Sequence, residues 1–569
     1  MRTTALTDRD AAVRGALRSV LVLAGLYLLA LAIRLVAAGQ IPMPGTEPSA
    51  YYADVAGSLV RGEGLVSHAV WSYATGPLVV PKPAFELWLP MSSLVSALSM
   101  TFLGPTWWAA QVGSALLGAL VSPLTWAVAR GAARGAGLDA RRTGAVAIAS
   151  GVLAAILGPL VLASAVPDSY LPYLVFSLMA VLIIPPWLGI RDGAPASPAG
   201  GPTRLGGMVL GVLMGLAYLS RQEAIWLGLT LLLVLAWALR SRPPSTRLQE
   251  AVRRLWPVVV GGLLVVVPWL ARNTLEFGSP FPGQALENMV LVRNEDIFAF
   301  ADRPNLGRYL DQGLATVLGN PVAAAWAGFR DALLLPAFPI GVVGLVALLA
   351  MHRSSALRRP TALVALLASG ILTFVSTALL FPVATRWGTF LHASGPLLVA
   401  LLVMAVLGSD ALLARISRMR GWRQANVVIG PITLIVIAAV LGCLQLSLVA
   451  DQSRGRQARY TALASAIASV AEQEGQPVPA TLITDHPMWI ADALDRDAIV
   501  LPDEDLASVI ELSRRFQAPW IVVVDGRGRY PADLLDPGAL GCQDGPPVPL
   551  EQGQATAWLI RLSETCPAT

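Results

Sequence analysis

The 569-residue sequence has few charged residues, few cysteines and a single lysine. Only 14% of its residues are charged, against roughly a quarter in an ordinary soluble domain, and 55% are hydrophobic. Three cysteines are too few to build a disulfide-stabilised miniprotein, and the four histidines form no cluster with zinc spacing. The composition therefore excludes a soluble enzyme, a disordered chain, a collagen-like fibre and a small disulfide scaffold.

Long apolar runs recur between Ala16 and Ala450, and each is long enough to cross about 30 Å of hydrocarbon. We predict about eleven spans, near 16–38, 106–129, 143–163, 170–190, 205–220, 224–240, 255–271, 326–350, 361–381, 388–408 and 427–449. The first run is too long for the apolar region of a signal peptide, so it is predicted to be the first span. The predicted fold class is an all-α polytopic membrane domain followed by a small α/β domain.

Arginines are distributed unequally between the loops. The short connections 164–169, 221–223 and 382–387 carry only Arg221 and Arg386, whereas the alternate loops and the N-terminal segment are rich in arginine. By the positive-inside rule, the N-terminus lies in the cytoplasm and the C-terminal segment lies outside. The basic residues do not gather into one patch with interleaved aromatic residues, so no nucleic-acid partner is expected.

Two outer connections are long. The first, about 39–105, contains helix-like stretches from Tyr51 to Leu59 and from Ala84 to Leu103, which we predict to lie in the membrane interface. The second, about 272–325, is polar.

After Ala450 the composition becomes that of a soluble domain. An amphipathic helix over 456–474 is predicted to end at Gly475, a suitable residue for a helix C-terminus. Alternating elements follow, with strands at Thr481–Thr484, Ala498–Leu501, Trp520–Val524 and Thr556–Leu562, and a helix capped by Pro502-Asp503 that runs to Gln517. The predicted domains are a transmembrane domain, 1–450, and an extracytoplasmic α/β domain, 451–569.

Ionisable residues concentrate at the outer ends of the predicted spans. They are Arg34, Glu47, Glu63, His68, Lys82, Glu86, Asp168, Arg221, Glu223, Arg272, Glu276, Arg330, Asp331 and Arg386. No comparable set occurs at the middle of the spans. Because such groups are costly in a membrane unless they are paired or hydrated, the set indicates a site at the outer membrane surface. For any single member, a solvated charge or a charge at a helix end is the alternative.

Short motifs recur on this outer side in a fixed order. They are Thr46-Glu47-Pro48-Ser49-Ala50-Tyr51-Tyr52, Gly62-Glu63-Gly64-Leu65, Pro81-Lys82-Pro83, Val166-Pro167-Asp168-Ser169, Leu219-Ser220-Arg221-Gln222-Glu223, Pro268-Trp269-Leu270-Ala271-Arg272-Asn273 and Ala384-Thr385-Arg386-Trp387. This pattern resembles the GT-C superfamily of integral-membrane glycosyltransferases, which use polyprenyl-phosphate sugar donors. The nearest types are the protein O-mannosyltransferases and the lipid A aminoarabinose transferases.

The resemblance implies transfer of a sugar from a polyprenyl-phosphate donor to an acceptor hydroxyl, at the outer face of a bacterial cytoplasmic (inner) membrane. Such a donor is already activated, so the reaction needs a base for the acceptor and cations for the departing phosphate. The sugar stays open, as does the acceptor, which is a glycan, a lipid or a protein. No cofactor is expected. No metal is expected either, because the outer loops contain no dense carboxylate pair.

The resemblance also assigns residues to these roles. Glu47, where the family usually has Asp, is the expected base, and Asp168 would orient the acceptor or Glu47. Lys82, Arg272 and Arg386 would bind the donor phosphate, and a lone lysine among arginines argues for a specific ammonium. The secondary candidates are Tyr51, Tyr52, His68, Glu86, Arg221 and Glu223.

Each assignment has a structural alternative. Glu47 and Asp168 would be helix caps, Lys82 an interfacial lysine that reaches lipid headgroups, and Arg221 with Glu223 a paired turn. Arg272 and Arg386 would be headgroup anchors, listed here as the remaining pair of cations.

Two other classes of protein stay open at this point. A lipid or glycan transporter (flippase) would show polar residues within the spans, internal repeats or broken helices. A non-catalytic GT-C-like scaffold would keep the fold and would fit the change to Glu47. Cys542 and Cys566, alone together in the outer domain, are predicted to form a disulfide.

Overall fold

The computed structural model describes residues 2–191, 194–195, 203–354, 357–358, 361–422, 428–524, 530–536, 538–550 and 557–563. Its α-helices are Arg2–Gly39, Glu47–Arg61, Met91–Leu103, Trp107–Ala119, Val121–Gly135, Ala140–Ile156, Gly158–Ser164, Tyr170–Trp187, Arg204–Tyr218, Ile225–Leu239, Pro244–Phe277, Ala285–Asn288, Leu306–Leu310, Leu314–Gly328, Ile340–Ala350, Ala362–Leu380, Pro382–Trp387, Thr389–Ala393, Gly395–Met419, Ile429–Glu474, Pro487–Leu494 and Leu506–Phe516. The strands are Val66–Ser67, Ala69–Val70, Lys82–Pro83, Ile190–Arg191, Ala194–Pro195, Thr481–Thr484, Asp497–Val500, Trp520–Val523, Val548–Pro549 and Trp558–Arg561.

Within the described ranges, eight helices are long and apolar enough to cross a membrane. They are Gly15–Gly39, Trp107–Gly135, Tyr170–Trp187, Gln222–Leu239, Pro244–Phe277, Ala362–Leu380, Gly395–Met419 and Ile429–Glu474. Ala140–Ile156 and Gly158–Ser164 meet at an angle of 54° and together form a ninth candidate. This confirms the polytopic helical fold, with fewer full-length spans than the eleven predicted.

Two predicted spans are replaced by shorter helices. Arg204–Tyr218 has 15 residues, which extend only about 22 Å at 1.5 Å per residue. The stretch predicted at 326–350 is divided between the end of helix Leu314–Gly328, a π-helical segment, Phe329–Leu334, and the 11-residue helix Ile340–Ala350. Pro336 and Pro339 lie between the last two elements, and proline ends a helix because it lacks the amide hydrogen.

The broken candidate span contains a fully buried arginine that the sequence placed among the outer charges. The Arg34 guanidinium donates to the carbonyls of Ala154 and Ala155, each at 3.2 Å, and to Ser164 Oγ at 3.0 Å. Helix Ala140–Ile156 ends here, so these carbonyls lack partners within the helix. Arg34 therefore stabilises the helix break.

The first long connection is a helix, an irregular segment and a second helix. Thr46 caps helix Glu47–Arg61, and Gly62 ends it with a left-handed φ of 86°. The predicted helix from Ala84 is wrong, because the second helix begins only at Met91. Pro90 precedes that helix, and proline disfavours helical backbone at the residue before it.

A six-stranded sheet forms the core of the C-terminal α/β unit. Its order is Ala69–Val70, Asp497–Val500, Thr481–Thr484, Trp520–Val523, Trp558–Arg561 and Val548–Pro549. The first four strands are parallel, and the last two are antiparallel to their neighbours. The edge strand Ala69–Val70 comes from the first long connection, so that connection and the C-terminal unit share one sheet.

Two helices of this unit differ in detail from their predictions. Ile429–Glu474 is a single 46-residue helix that passes through the predicted domain boundary after residue 450. It ends at Gly475, as predicted, with a left-handed φ of 67°. The later helix is Leu506–Phe516, and its cap is Asp505 rather than Pro502-Asp503, because the Asp505 carboxylate accepts from Ser508 N at 2.8 Å.

Candidate active site

Glu47 is the first residue of the helix that follows the first span, and its side chain is buried. Its Oε1 lies 2.8 Å from Nδ1 of His486, and its Oε2 accepts a hydrogen bond from Nε1 of Trp71. The cap of the helix is Thr46, whose hydroxyl accepts from Ser49 N. Glu47 is therefore not the cap, and two donors from distant parts of the chain hold its carboxylate.

His486 was not among the candidates that the sequence gave. It follows strand Thr481–Thr484 and precedes Pro487, the first residue of a short helix. Loops at the carboxyl ends of parallel strands are common places for functional side chains. The sequence Thr484-Asp485-His486-Pro487 directly after a buried strand was the signal that would have identified it.

Lys82 is buried, so it does not extend to lipid headgroups. Its Nζ lies 2.7 Å from the Glu86 carboxylate and 2.9 Å from the carbonyl oxygen of Ser72. Burial lowers the pKa of Lys82 and raises the pKa of Glu86, and the attraction between the two groups offsets these shifts only in part. Ser72 follows Trp71 in the chain, so the lysine and Glu47 are linked by two contacts through adjacent residues.

A small cavity connects these groups. It is lined by Tyr51, Ser67, Ala69, Trp71, Lys82, Pro83, Glu86, Leu87 and Trp88. The rings of Tyr51 and Trp71 each lie 4.7 Å from the Trp88 ring. The Tyr51 hydroxyl accepts from Phe85 N at 2.6 Å, which fixes its ring beside the cavity. Apolar rings with a buried cation between them suit a ligand that carries both an anionic and an apolar part.

Arg272 approaches the same segment from the outer end of helix Pro244–Phe277. Its Nη1 donates to the carbonyl of Ala84 at 2.8 Å, two residues after Lys82. Its guanidinium also lies 5.2 Å from the centre of the Trp269 ring. Arg386, in contrast, is exposed in the short helix Pro382–Trp387. The structure therefore brings Arg272, but not Arg386, against the segment that carries Lys82.

Asp168 belongs to a second buried cluster at the outer ends of the spans. Its carboxylate lies 3.0 Å from His392 Nδ1 and accepts from Tyr170 N at 2.7 Å. Burial favours the neutral acid, but His392, the Tyr170 amide and Arg221 together hold the pKa of Asp168 below its ordinary value. The cap of helix Tyr170–Trp187 is Ser169, so Asp168 is not the cap residue itself.

Arg221 and Glu223 form the paired turn that the sequence offered as an alternative. Their side chains are 2.7 Å apart, and Arg221 also donates to Ser169 Oγ at 2.8 Å. Tyr52 is buried against this cluster, and burial followed by the charge of Asp168 raises its pKa well above the usual value. Helix Glu47–Arg61 thus carries Glu47, Tyr51 towards the cavity and Tyr52 towards Asp168.

His68 lies at the junction of the first connection and the C-terminal sheet. Its Nδ1 is 2.9 Å from Asp497, and its Nε2 is 3.3 Å from Glu63. The hydrogen bond to Asp497 raises the pKa of His68 to about 9, against the opposing effect of burial. This geometry gives His68 a place in the contact between the two parts of the chain and no contact with the cavity.

Two further calls on side chains concern cysteines and metal ligands. Cys542 is buried, but Cys566 lies outside the described residues, so their disulfide stays a prediction. In the part of the chain that the structure describes, no three His, Cys, Asp or Glu side chains are grouped closely enough to hold a metal ion.

No protein-family model and no curated protein sequence matches this chain. Solved structures do match it. ArnT from Cupriavidus metallidurans, bound to undecaprenyl phosphate, aligns over 95% of this chain and 98% of its own, with a TM-score of 0.55 and 14% identity. The oligosaccharyltransferase AglB from Archaeoglobus fulgidus, in complex with an inhibitory peptide and a dolichol-phosphate, aligns over 89% of this chain and 69% of its own, with a TM-score of 0.52 and 12% identity.

Both of these proteins are GT-C glycosyltransferases. The chain therefore has the GT-C fold, as the order of its motifs predicted. Among the matching structures, ArnT is similar over almost its full length, including the membrane helices and the C-terminal unit.

Proposed function

We propose that this protein is a membrane glycosyltransferase that moves a sugar from a polyprenyl-phosphate donor to an acceptor hydroxyl. The observation that carries the proposal is the arrangement of Glu47 and Lys82, a buried carboxylate and a buried ammonium on either side of Trp71. The similarity to ArnT bound to undecaprenyl phosphate and to AglB with a dolichol-phosphate supports a lipid-phosphate donor.

The proposed reaction is a displacement at the anomeric carbon of the sugar. Glu47 takes the proton of the acceptor hydroxyl while its oxygen forms the new glycosidic bond. The bond between the anomeric carbon and the phosphate oxygen breaks, and polyprenyl phosphate leaves with the electron pair. Lys82 and Arg272 stabilise the negative charge on that phosphate, with Arg386 as a more peripheral cation. Asp168 orients the acceptor through the cluster around Tyr52.

Glu47 and Lys82 are also linked through their positions in the first connection. Glu47 begins the helix after the first span, and the segment that carries Lys82 folds back against Tyr51 on the same helix. A donor whose lipid tail lies in the bilayer must react close to the membrane surface, where this connection lies in the proposed topology. A transporter would instead place its polar groups near the middle of the spans.

The direct test is sugar transfer by the purified protein in detergent micelles supplied with a polyprenyl-phosphate sugar. Glu47→Gln keeps the shape of the side chain and removes its basicity, so it should lower turnover about 10²–10⁴-fold. Glu511→Gln, on an exposed helix of the C-terminal unit, is the matched control and should keep the wild-type rate. Donor consumption that is equal in wild type and Glu47→Gln would contradict the role of Glu47. Complete absence of transfer and of donor hydrolysis in the wild type, with donor still bound, would favour the scaffold.

The proposed orientation places the site on the outer face of a bacterial cytoplasmic membrane, with 451–569 as an outer domain. The arginine-rich loops then face the cytoplasm. A reporter that is active only in the cytoplasm, fused after Thr569, should give no signal, whereas one fused after Arg353 should be active. A strong cytoplasmic signal from the Thr569 fusion would contradict this orientation.

A further inference from the structure

The proposed base is held by a residue that lies 439 positions further along the chain. His486 Nδ1 and Glu47 Oε1 are 2.8 Å apart, and both side chains are buried. We propose that His486 is a positioning residue that orients the Glu47 carboxylate and keeps it ionised, so that the C-terminal α/β unit completes the active site. This inference rests on the proposed role of Glu47.

The imidazole of His486 is itself fixed in place. The Trp489 ring packs on it at a centroid distance of 5.0 Å, and the Arg456 guanidinium lies 5.1 Å from the Trp489 ring. On the other side, Asp485 Oδ2 is 3.9 Å from His486 Nε2. The Asp485 carboxylate is anchored in turn, because Val524 N donates to it at 2.9 Å. His486 thus lies between two carboxylates, with little freedom to rotate.

This position leaves Glu47 able to act as a base. A carboxylate has about four lone-pair sites, and His486 and Trp71 each use one of them. A donor to an ionised carboxylate stabilises the charged form, which is the form that accepts the proton. The two fixed donors also restrict rotation of the side chain, and a misplaced catalytic group can cost about 100-fold in rate.

The contact between the first connection and the C-terminal sheet determines this geometry. Ala69–Val70 pairs in parallel with Asp497–Val500, and His68 contacts Asp497 at the start of that pairing. The Tyr73 hydroxyl donates to the carbonyl oxygen of Val500 at its end. Trp71 lies between these two anchors in sequence, so the same pairing that joins the sheet also places Trp71 next to Glu47.

The test compares His486→Ala with His486→Asn in the full-length protein. The Asn side-chain amide can place an N–H near the position of imidazole Nδ1, whereas Ala removes the donor. We expect His486→Ala to lower kcat about 10- to 100-fold, with the KM for the donor little changed, and His486→Asn to recover most of the rate. His352→Asn, at an exposed histidine, is the matched control and should behave as wild type.

The pH profile is the readout that a purely structural role would not move. The charged groups around the pair are Asp485 and Arg456, with Lys82 and Glu86 beyond Trp71. Without the imidazole, the ionised carboxylate loses a donor, so the acidic limb of the kcat/KM profile should move to higher pH in His486→Ala. The limb should return towards the wild-type position in His486→Asn.

Each outcome separates this inference from the proposed function. Wild-type kcat and pH profile in His486→Ala, while Glu47→Gln is inactive, would contradict the role of His486 alone. Wild-type activity in Glu47→Gln would contradict the proposed base and this inference with it. In the double variant, the His486 change should add nothing to Glu47→Gln, and effects that multiply would contradict the pairing. Thermal unfolding and binding of undecaprenyl phosphate show whether each variant is folded, and a loss of both in His486→Ala and His486→Asn alike would mean that His486 serves folding, contrary to the inference.

Discussion

Lys82 Nζ lies 2.7 Å from the carboxylate of Glu86, and both side chains are buried. The residue proposed to hold the donor phosphate therefore already has a buried carboxylate as its partner. A phosphate that binds Lys82 must compete with Glu86 for the same ammonium. Glu86 thus has a defined part in the site, as a group that limits how tightly the donor and the product bind.

Glu86→Gln should bind undecaprenyl phosphate more tightly than wild type. A hydrogen bond to a charged group contributes about 1.5–3 kcal/mol, so weakening the competitor should tighten binding about tenfold or more. Lys82→Ala should weaken binding by a similar factor. Quenching of tryptophan fluorescence during titration measures both, with Glu511→Gln as the control. If Glu86→Gln weakens binding in parallel with Lys82→Ala, the pair is structural and does not compete with the donor.

The two arginines proposed as phosphate partners should differ in importance. Arg272 bonds the carbonyl of Ala84 beside the Lys82 segment, whereas Arg386 is exposed. Arg272→Ala should weaken binding of undecaprenyl phosphate about tenfold, since charge-assisted contacts are worth about 1.5–3 kcal/mol. Arg386→Ala should change it less than threefold, or about 0.6 kcal/mol. A larger loss in Arg386→Ala than in Arg272→Ala in the same titration would reverse this order.

The buried pair of Asp168 and His392 should be important for stability. Removing one partner of a buried pair costs about 3–5 kcal/mol, because the other charge is left without compensation. Asp331 pairs with Arg330 at an exposed position, where an ion pair contributes about 0–1 kcal/mol. In detergent at pH 7, Asp168→Asn should therefore lower Tm clearly, and Asp331→Asn should leave it almost unchanged.

The same variant also has a predicted pH dependence. Because the folded-state pKa of Asp168 lies below its ordinary value, its contribution is present above about pH 4 and is lost as the pH falls through the folded pKa. The difference in Tm between wild type and Asp168→Asn should thus shrink below about pH 4. A difference that is constant from pH 7 down to pH 3 would show that the charge of Asp168 is not the cause.

The sequence predicted the fold better than the contacts of the site. Apolar runs and arginine-rich loops report on local surroundings, so the polytopic fold and the C-terminal α/β unit were predictable. The motif order also gave Glu47 and Lys82, which the structure brings close together. Their roles stay predictions.

The missed features are contacts between distant parts of the chain. His486 and His392 meet carboxylates 439 and 224 positions away, and no local periodicity records such pairs. The edge strand Ala69–Val70 has two residues, too few for an alternating pattern. The start of the second helix was missed because the apolar stretch from Ala84 hides the effect of Pro90.

His68 provides a test of the contact between the first connection and the C-terminal sheet. Its pKa is raised to about 9, chiefly by the hydrogen bond to Asp497. The unfolded value is about 6.5, so the stabilisation is fully present below about pH 6.5 and is lost as the pH rises through about 9. His68→Asn should therefore lower Tm at pH 6 and should match wild type at pH 10.

The control for this experiment is His352→Asn, which changes an exposed histidine whose Nδ1 contacts only the carbonyl of Leu349 three residues earlier among the described contacts. Its Tm should follow wild type at every pH. Because His68 anchors the pairing that places Trp71 beside Glu47, His68→Asn should also lower turnover more at pH 6 than at pH 10, relative to wild type. A Tm difference for His68→Asn that is equal at both pH values would show that the histidine acts through packing and that its charge does not hold the two parts together.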